Sequence, residues 1–485
     1  TGDTTTFTGG VTATAPSQVN LAGTIQTTNT LMSLGDAGTP VVLTANTILS
    51  GNTAGAITLG GTVNGAYSLT VNTTGTTTLS GDIGGNTALT TLTTNTGGTT
   101  VISVDIETSS TQTYNDAVTI NGTLDFTGST VQFANTLAGD DGTGDNLTIS
   151  GALDLDGAAT SLTSLTVEGT SNLGADVTTS GTQTYTSGVT VSGGDRILTG
   201  TIINFGSTLA GGTNALTITG NLDLDGAATN LSTLAVSGTS NLGANVTTSS
   251  TQTYTGDATI SNDITLTTTN SNVSFGGTVD SSGTSSSTTA SILLTDIDTG
   301  NTETITGTAG QTTNHVPTRN DVYDRATLSA YSTAILYDGM ELYGEITTID
   351  NSSGSSSTTV DFTDGQLSSL TLSGEIVNSS DASTLTIAAG SGDVTFTDAV
   401  GGSTAMGNIT ITTGALSAAA IKVQGTFSIT NTDTSSITGI ISDGASSAIV
   451  TKAGSATLTL SGNNTYTGQT NINAGIISIT HNNAL

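Results

Sequence analysis

The sequence predicts an all-β fold, a parallel β-helix (β-solenoid) carrying one small irregular or helical insertion. Three observations lead there. Thr, Ser, Gly and Asn dominate a chain of 485 residues of which only 9% are charged and 4% aromatic, with no Trp; an ordinary globular chain is about 25% charged. Short strings alternate Val, Ile or Leu with Thr or Ser, the period-two pattern of strands with one buried face. Several words recur at a fixed interval, which marks a solenoid or array.

The residue types suit such a chain. Thr is branched at Cβ and packs on a pleated surface, while Gly, Asn and Asp turn the corners between strands. Three prolines in the whole chain argue against an extended linker. A formal charge of −32 can accompany disorder, but the 34% of hydrophobic residues fall in alternating strings, which favours ordered strands. Five basic residues, Arg196, Arg319, Arg325, Lys422 and Lys452, stand against 37 acidic ones. Nucleic acids and anionic membranes are therefore not expected as partners, because phosphate contacts need Lys and Arg. The acidity either keeps a long β surface soluble or recruits divalent cations. Absence of Cys suits export in the unfolded state into an oxidising compartment. The opening "TGDTTTFTGG" has neither the basic nor the apolar region of a leader, and no run of about 18 apolar residues occurs. A mature or trimmed chain without a membrane-spanning helix is expected.

The repeats can be counted. "TQTY" occurs at 111–114, 182–185 and 251–254. "LDLDGAAT" at 153–160 returns at 222–229, and "SNLGA" at 171–175 returns at 240–244, so both words recur with the same 69-residue period. A looser copy sets "ALTTLT" at 88–93 against "SLTSLT" at 161–166. Each copy reads as strand, "DG" turn, "LTSLTV" strand, "TSNLGA" turn and "TQTY". That period divides into about three turns of roughly 20–25 residues, a usual solenoid size. The C-terminal segment agrees, for Leu458 and Ile477 are spaced as one 19-residue coil with the strand "TNIN" between them. Inward positions should include Leu162, Leu165, Val167, Leu231, Leu234, Val236, Ile409 and Ile411. Tyr114, Tyr185, Tyr254 and Tyr466 are read as structural residues that stack along the axis.

One region departs from the pattern. Residues 314–347 hold two of the five basic residues and four of the nine tyrosines. A helix is expected over about 320–337, N-capped by Asn320, within a lateral insertion or a junction between solenoid segments. Serine-rich stretches at 281–289 and 351–359 flank it. The expected organisation is N-terminal coils over 1–105, coils with the 69-residue repeat over 106–285, and serine-rich flanks with the insertion over 286–356. Further coils cover 357–450, and closing coils 451–485.

Catalysis finds little support. Two histidines, His315 and His481, offer few partners for a Ser-His-Asp system, and the carboxylates are dispersed rather than paired. The chain is read as not an enzyme. Two acidic loops could bind Ca2+, which takes several carboxylate and carbonyl oxygens: Asp140, Asp141 and Asp145 in "GDDGTGD", and Asp296, Asp298 and Glu303 in "DIDTGNTE". Neither follows the EF-hand pattern, and the alternative is solvated turn aspartates. No other cofactor is expected.

Residues 452–485, "KAGSATLTLSGNNTYTGQTNINAGIISITHNNAL", closely resemble the passenger-associated transport repeat of bacterial autotransporters. Gly454, Leu458, Leu460, Gly462, Asn464, Tyr466, Gly468, Thr470, Ile472 and Gly475 fill its pattern, with Ile477 at the usual Leu. The "TQTY" and "LTSLTV" units resemble repeats of filamentous-haemagglutinin-like surface proteins of Gram-negative bacteria. These resemblances imply a secreted right-handed parallel β-helix, displayed on the cell surface through an outer-membrane β-barrel translocator. The stretch ending at Leu485 contains no such barrel, so the sequence reads as a cleaved passenger or a segment of a longer protein. The function implied is attachment or surface coating, with a host or neighbouring cell surface as partner. The alternative is a self-assembling surface-layer or filament subunit, calcium-dependent and packed against copies of itself.

Overall fold

The computed structural model describes residues 4–281 and 382–484 in full, and within 282–381 the backbone of short strands from Thr289–Thr295 to Leu370–Thr371. The fully described residues form one parallel β-solenoid of about 19 turns. Each turn supplies three short strands that meet at tight corners, so the rod has three faces, here A, B and C. The strand Asn146–Leu155 lies on A and then B, Ala159–Leu162 lies on C, and Ser164–Val167 returns to A. Leu165 there pairs in parallel with Leu147. Turns differ in length: Leu153 pairs with Ser171 across a short one, and Ile387 with Ile411 across a long one. At the C-terminus Leu458 pairs with Ile477, so the 19-residue coil read from the sequence is present.

Alternation within each strand sends aliphatics inward. Leu162, Leu165, Val167, Leu231, Leu234, Val236, Ile409 and Ile411 are all buried in one continuous core. Each such side chain stabilises the rod by roughly 1.5–3 kcal/mol, but only because the next turn covers it. Stability is therefore shared between neighbouring turns.

Two features hold the corners. At some, the turns approach so closely that only glycine fits: a Cβ on Gly151 or on Gly220 would stand 1.9 Å from the carbonyl oxygen of Gly128 or Gly200 in the preceding turn. At others an Asp or Asn side chain accepts a backbone N–H of the following turn. Asp105 accepts from Asp125, Asp176 from Ile197, Asp195 from Ala215, Asn245 from Thr265 and Asp257 from Thr278, each at 2.7–3.0 Å. Much of the acidity read from composition is thus corner chemistry, in which a short carboxylate satisfies a donor that the ladder leaves free.

The 69-residue repeat does not span three turns. From Gln183–Tyr185 to Gln252–Tyr254 the chain takes eleven strand positions, which is three turns and two faces. Tyr114 is on face B, paired with Phe133; Tyr185 is on A, paired with Phe205; Tyr254 is on C, paired with Phe275. These tyrosines therefore stack along the axis, as expected, but not on one another. They occupy different faces, and each stacks instead on the phenylalanine one turn ahead, with ring centroids at 5.2, 5.5 and 5.0 Å. The "TSNLGA" word is likewise a strand rather than a turn, at Ser171–Leu173 and Ser240–Leu242.

The helix expected over 320–337 is not found. The parts of it that the structure describes, Arg325–Leu328 and Thr333–Leu336, are strands, and Asn320 lies outside the described residues. These strands pair with Thr289–Thr295, Thr312–Asn314 and Leu370–Thr371, and that pairing replaces the helix expected from local signals.

Candidate functional site

The recurrent "TQTY" word is a buried staple. Gln and Tyr are two residues apart in a strand and so point the same way, inward. Tyr185 donates its hydroxyl hydrogen to Gln183 Oε1 at 3.0 Å, and Gln183 Nε2 donates to the carbonyls of Val177, 3.2 Å, and Thr199, 2.8 Å. The second acceptor lies in the next turn. Gln112 with Tyr114 and Gln252 with Tyr254 repeat the arrangement. All three phenols are fully buried, and burial raises their pKa above the ordinary value. The structural reading of the tyrosines holds for these three. The sequence reading passes over the partner glutamines, although their two-residue spacing from each tyrosine signals them.

The loop at 139–145 brings Asp140, Asp141 and Asp145 together, with one carboxylate oxygen of each within 4.8 Å of the others. Asp145 is buried and accepts from the amides of Gly122, 2.9 Å, and Gly142, 3.2 Å. Asp141 Oδ1 accepts from the amide and hydroxyl of Thr143, both at 2.8 Å, which holds its carboxyl below the usual range. Asp140 accepts from Asn121 Nδ2. The outer carboxylates keep free lone pairs facing solvent and could join in holding a hard divalent cation. Of the second acidic group, Asp296 and Asp298 lie outside the described residues. Glu303 sits opposite Leu294 in an antiparallel pair within the insertion.

The "DLDG" words are strand and corner elements. Asp154 accepts from Asn172 at 2.8 Å, and Asp223 accepts from Asn204 and Asn241 at 3.0 and 2.7 Å. Arg196 pairs with Asp176 at 3.5 Å. His481 is exposed at the last corner, where its Nδ1 accepts from the amide of Asn483; His315 lies outside the described residues.

Side-chain hydrogen bonds hold the turns at 441–484 together. Asn464 accepts from the amide of Ile441 at 2.8 Å and donates to the carbonyl of Ala484 at 2.7 Å, bridging the turns on either side. Asp443 accepts from the amide of Ala448 and from the amide and hydroxyl of Thr467. Burial pushes its carboxyl up, but these donors outweigh it and hold the group below the ordinary value. Tyr466 shares a hydrogen bond with Thr470 at 2.7 Å across its corner. Lys452 points inward on face B and is fully buried, donating to the carbonyls of Ala453, Gly454 and Ala474. Burial lowers its pKa. Nothing in the alternation of "IVTKA" distinguishes this lysine from a solvated one except its inward parity.

Ile472 occupies the inward position opposite Lys452 but is 54% exposed, and Ile476 and Ile479 on the same turn are 60% and 46% exposed. Residues 450–479 run through faces B, C, A, B and C, one turn and two thirds.

Those residues, 450–479, match the passenger-associated-transport-repeat family. No curated protein matches the chain, and no solved structure does. The matched repeat forms the closing turns of the β-solenoid, and repeat and fold together support an autotransporter passenger domain.

Proposed function

We propose that this chain is a surface-displayed passenger of a Gram-negative bacterium, used in attachment or surface coating rather than catalysis. The observation that carries this reading is the use of the rod. Turn after turn is spent on corner caps, staples and core, and the closing turns are of the type found in translocated passengers. Its partners on this reading are an outer-membrane β-barrel translocator and a host or neighbouring cell surface. The test is display on bacterial cells behind a β-barrel translocator, scored for attachment to epithelial cells and abiotic surfaces and for autoaggregation. Displaying cells should exceed cells carrying the translocator alone in at least one of these. Equal scores in all three, with the chain demonstrably on the surface, would overturn the proposal.

A self-assembling lattice or filament is the second reading, supported by outward ranks of small uncharged residues. One such rank on face B runs Thr265, Thr386, Thr410, Ser428 and Thr451 through successive paired strands. Rods can approach along such a rank without facing their own negative charge, and Ca2+ at Asp140 and Asp141 would reduce repulsion elsewhere. Electron microscopy with calcium and with chelator separates the readings, since single rods in both conditions would exclude assembly.

A further inference from the structure

The ladder of the rod continues from residue 281 to residue 382 without a break. Ile264–Thr267 pairs in register with Leu385–Ala388, Val273–Phe275 with Val394–Phe396, and Val279 with Val400. One turn thus follows another on all three faces although about a hundred residues intervene in sequence. Phe275 stacks on Phe396 at 5.2 Å, continuing the Tyr254 stack across the junction. The corner caps also cross it: Asp263 accepts from the amide of Thr384 at 2.6 Å, Asn272 from Asp393 at 2.8 Å and Asp280 from Ser403 at 2.8 Å. Both ends of the excursion meet at one corner, where Ser281 Oγ accepts from the amide of Ser383 at 2.8 Å.

Within the excursion the described strands pair with one another. Thr289–Thr295 pairs with Thr302–Thr308 and Arg325–Leu328, and Thr333–Leu336 with Thr312–Asn314 and Leu370–Thr371. Most of those pairings are antiparallel, unlike the parallel rod. Adjacent ends and a separate hydrogen-bonding system are the conditions under which one domain can be inserted into another at little cost. We infer that the rod is one continuous unit across the junction, and that it holds together through its own ladder with no covalent link through residues 282–381.

The test uses the full chain with a specific protease site inserted after Gly283 and another after Ser380. After both cuts, the two rod portions should elute together from a sizing column in native buffer, with strand circular dichroism unchanged for the rod, and part only in denaturant. Parting of the two portions in native buffer would overturn the inference. A second chain, cut in the same way but carrying Thr386→Pro and Thr395→Pro, should release the two portions, because proline removes ladder donors at the junction. Retention in that chain would show that something other than the direct ladder joins the portions, and would equally overturn the inference.

Discussion

Replacing Gln183 by Leu tests the staple most directly. The change keeps side-chain volume close but removes every polar atom. It leaves the Tyr185 hydroxyl without an acceptor, and the carbonyls of Val177 and Thr199 without their side-chain donor. An orphaned buried polar group costs about 1–3 kcal/mol, and carbonyls tolerate partial loss better than a hydroxyl, so the expected total is about 2–4 kcal/mol. Tyr185→Phe orphans only Gln183 Oε1 and should cost about 1–2 kcal/mol. In the double variant the hydroxyl is gone, so Gln183→Leu should cost about 1–2 kcal/mol less than it does alone. The assay is urea unfolding followed by far-UV circular dichroism, with the dependence on denaturant held common across the set. The same pair on the other two faces, Gln112→Leu with Tyr114→Phe and Gln252→Leu with Tyr254→Phe, should give the same cycle. An additive cycle, or sites differing by more than about 1 kcal/mol, would refute the reasoning.

Three further outcomes follow from the same contacts. The fold keeps the Tyr114, Tyr185 and Tyr254 phenols protonated where the unfolded chain would lose the protons, so stability should fall as pH rises above about 10; phenolate absorbance should show these three ionising only with unfolding. Lys452 has the opposite sign: its lowered pKa means that the unfolded chain binds the proton more readily, so stability should rise as pH approaches about 10 from below. Lys452→Met should remove that rise in a pH series of urea midpoints. Duplicating residues 183–251 in tandem should lengthen the rod by three and two-thirds strand spacings, about 18 Å, in small-angle scattering without new unfolding phases. The copy is accommodated because "LAVSGTSNL" at 234–242 presents nearly the surface that "LTVEGTSNL" at 165–173 presents to the original; aggregation or a second unfolding phase would contradict this.

Alternation is enough to place the core from the sequence, since the parity of Leu and Ile in "LTSLTV" or "TLTL" decides which face is buried. The closing coil is legible too, because its glycines, Asn464 and Tyr466 carry a specific pattern. Relations between turns are not legible in the same way. Gln183 looks like any polar strand residue until Thr199 in the next turn supplies its acceptor, and Asp105 looks solvated until it meets the amide of Asp125. The phase of the repeat is hidden for the same reason. Turns lengthen or shorten with their corners, as the Leu153–Ser171 and Ile387–Ile411 pairs show, so the repeat can be divided into turns only once the ladder is known. The helix expectation rests on one capping residue and composition, which local strand pairing overrides.

The phase of the repeat also bears on where a binding function can sit. Eleven strand positions per copy send each word to a new face: Asp154 of the first "LDLDG" points out from B and Asp223 of the second from A. A stripe of identical outward residues along one face therefore cannot be built by copying this unit. Inward, the copies preserve the Gln–Tyr staple, the Phe stack and the aliphatic core, and these work equally well on any face because each face meets its neighbours through the same strand spacing; outward, they repeat the Asp154–Asn172 pair as Asp223–Asn241, but on a different face. A function that needs side chains at fixed positions must then come from the elements that occur once. Among the described residues these include the acidic loop at 139–145, the corner between Ser281 and Ser383, and the turns at 450–479. The rod between them sets their separation.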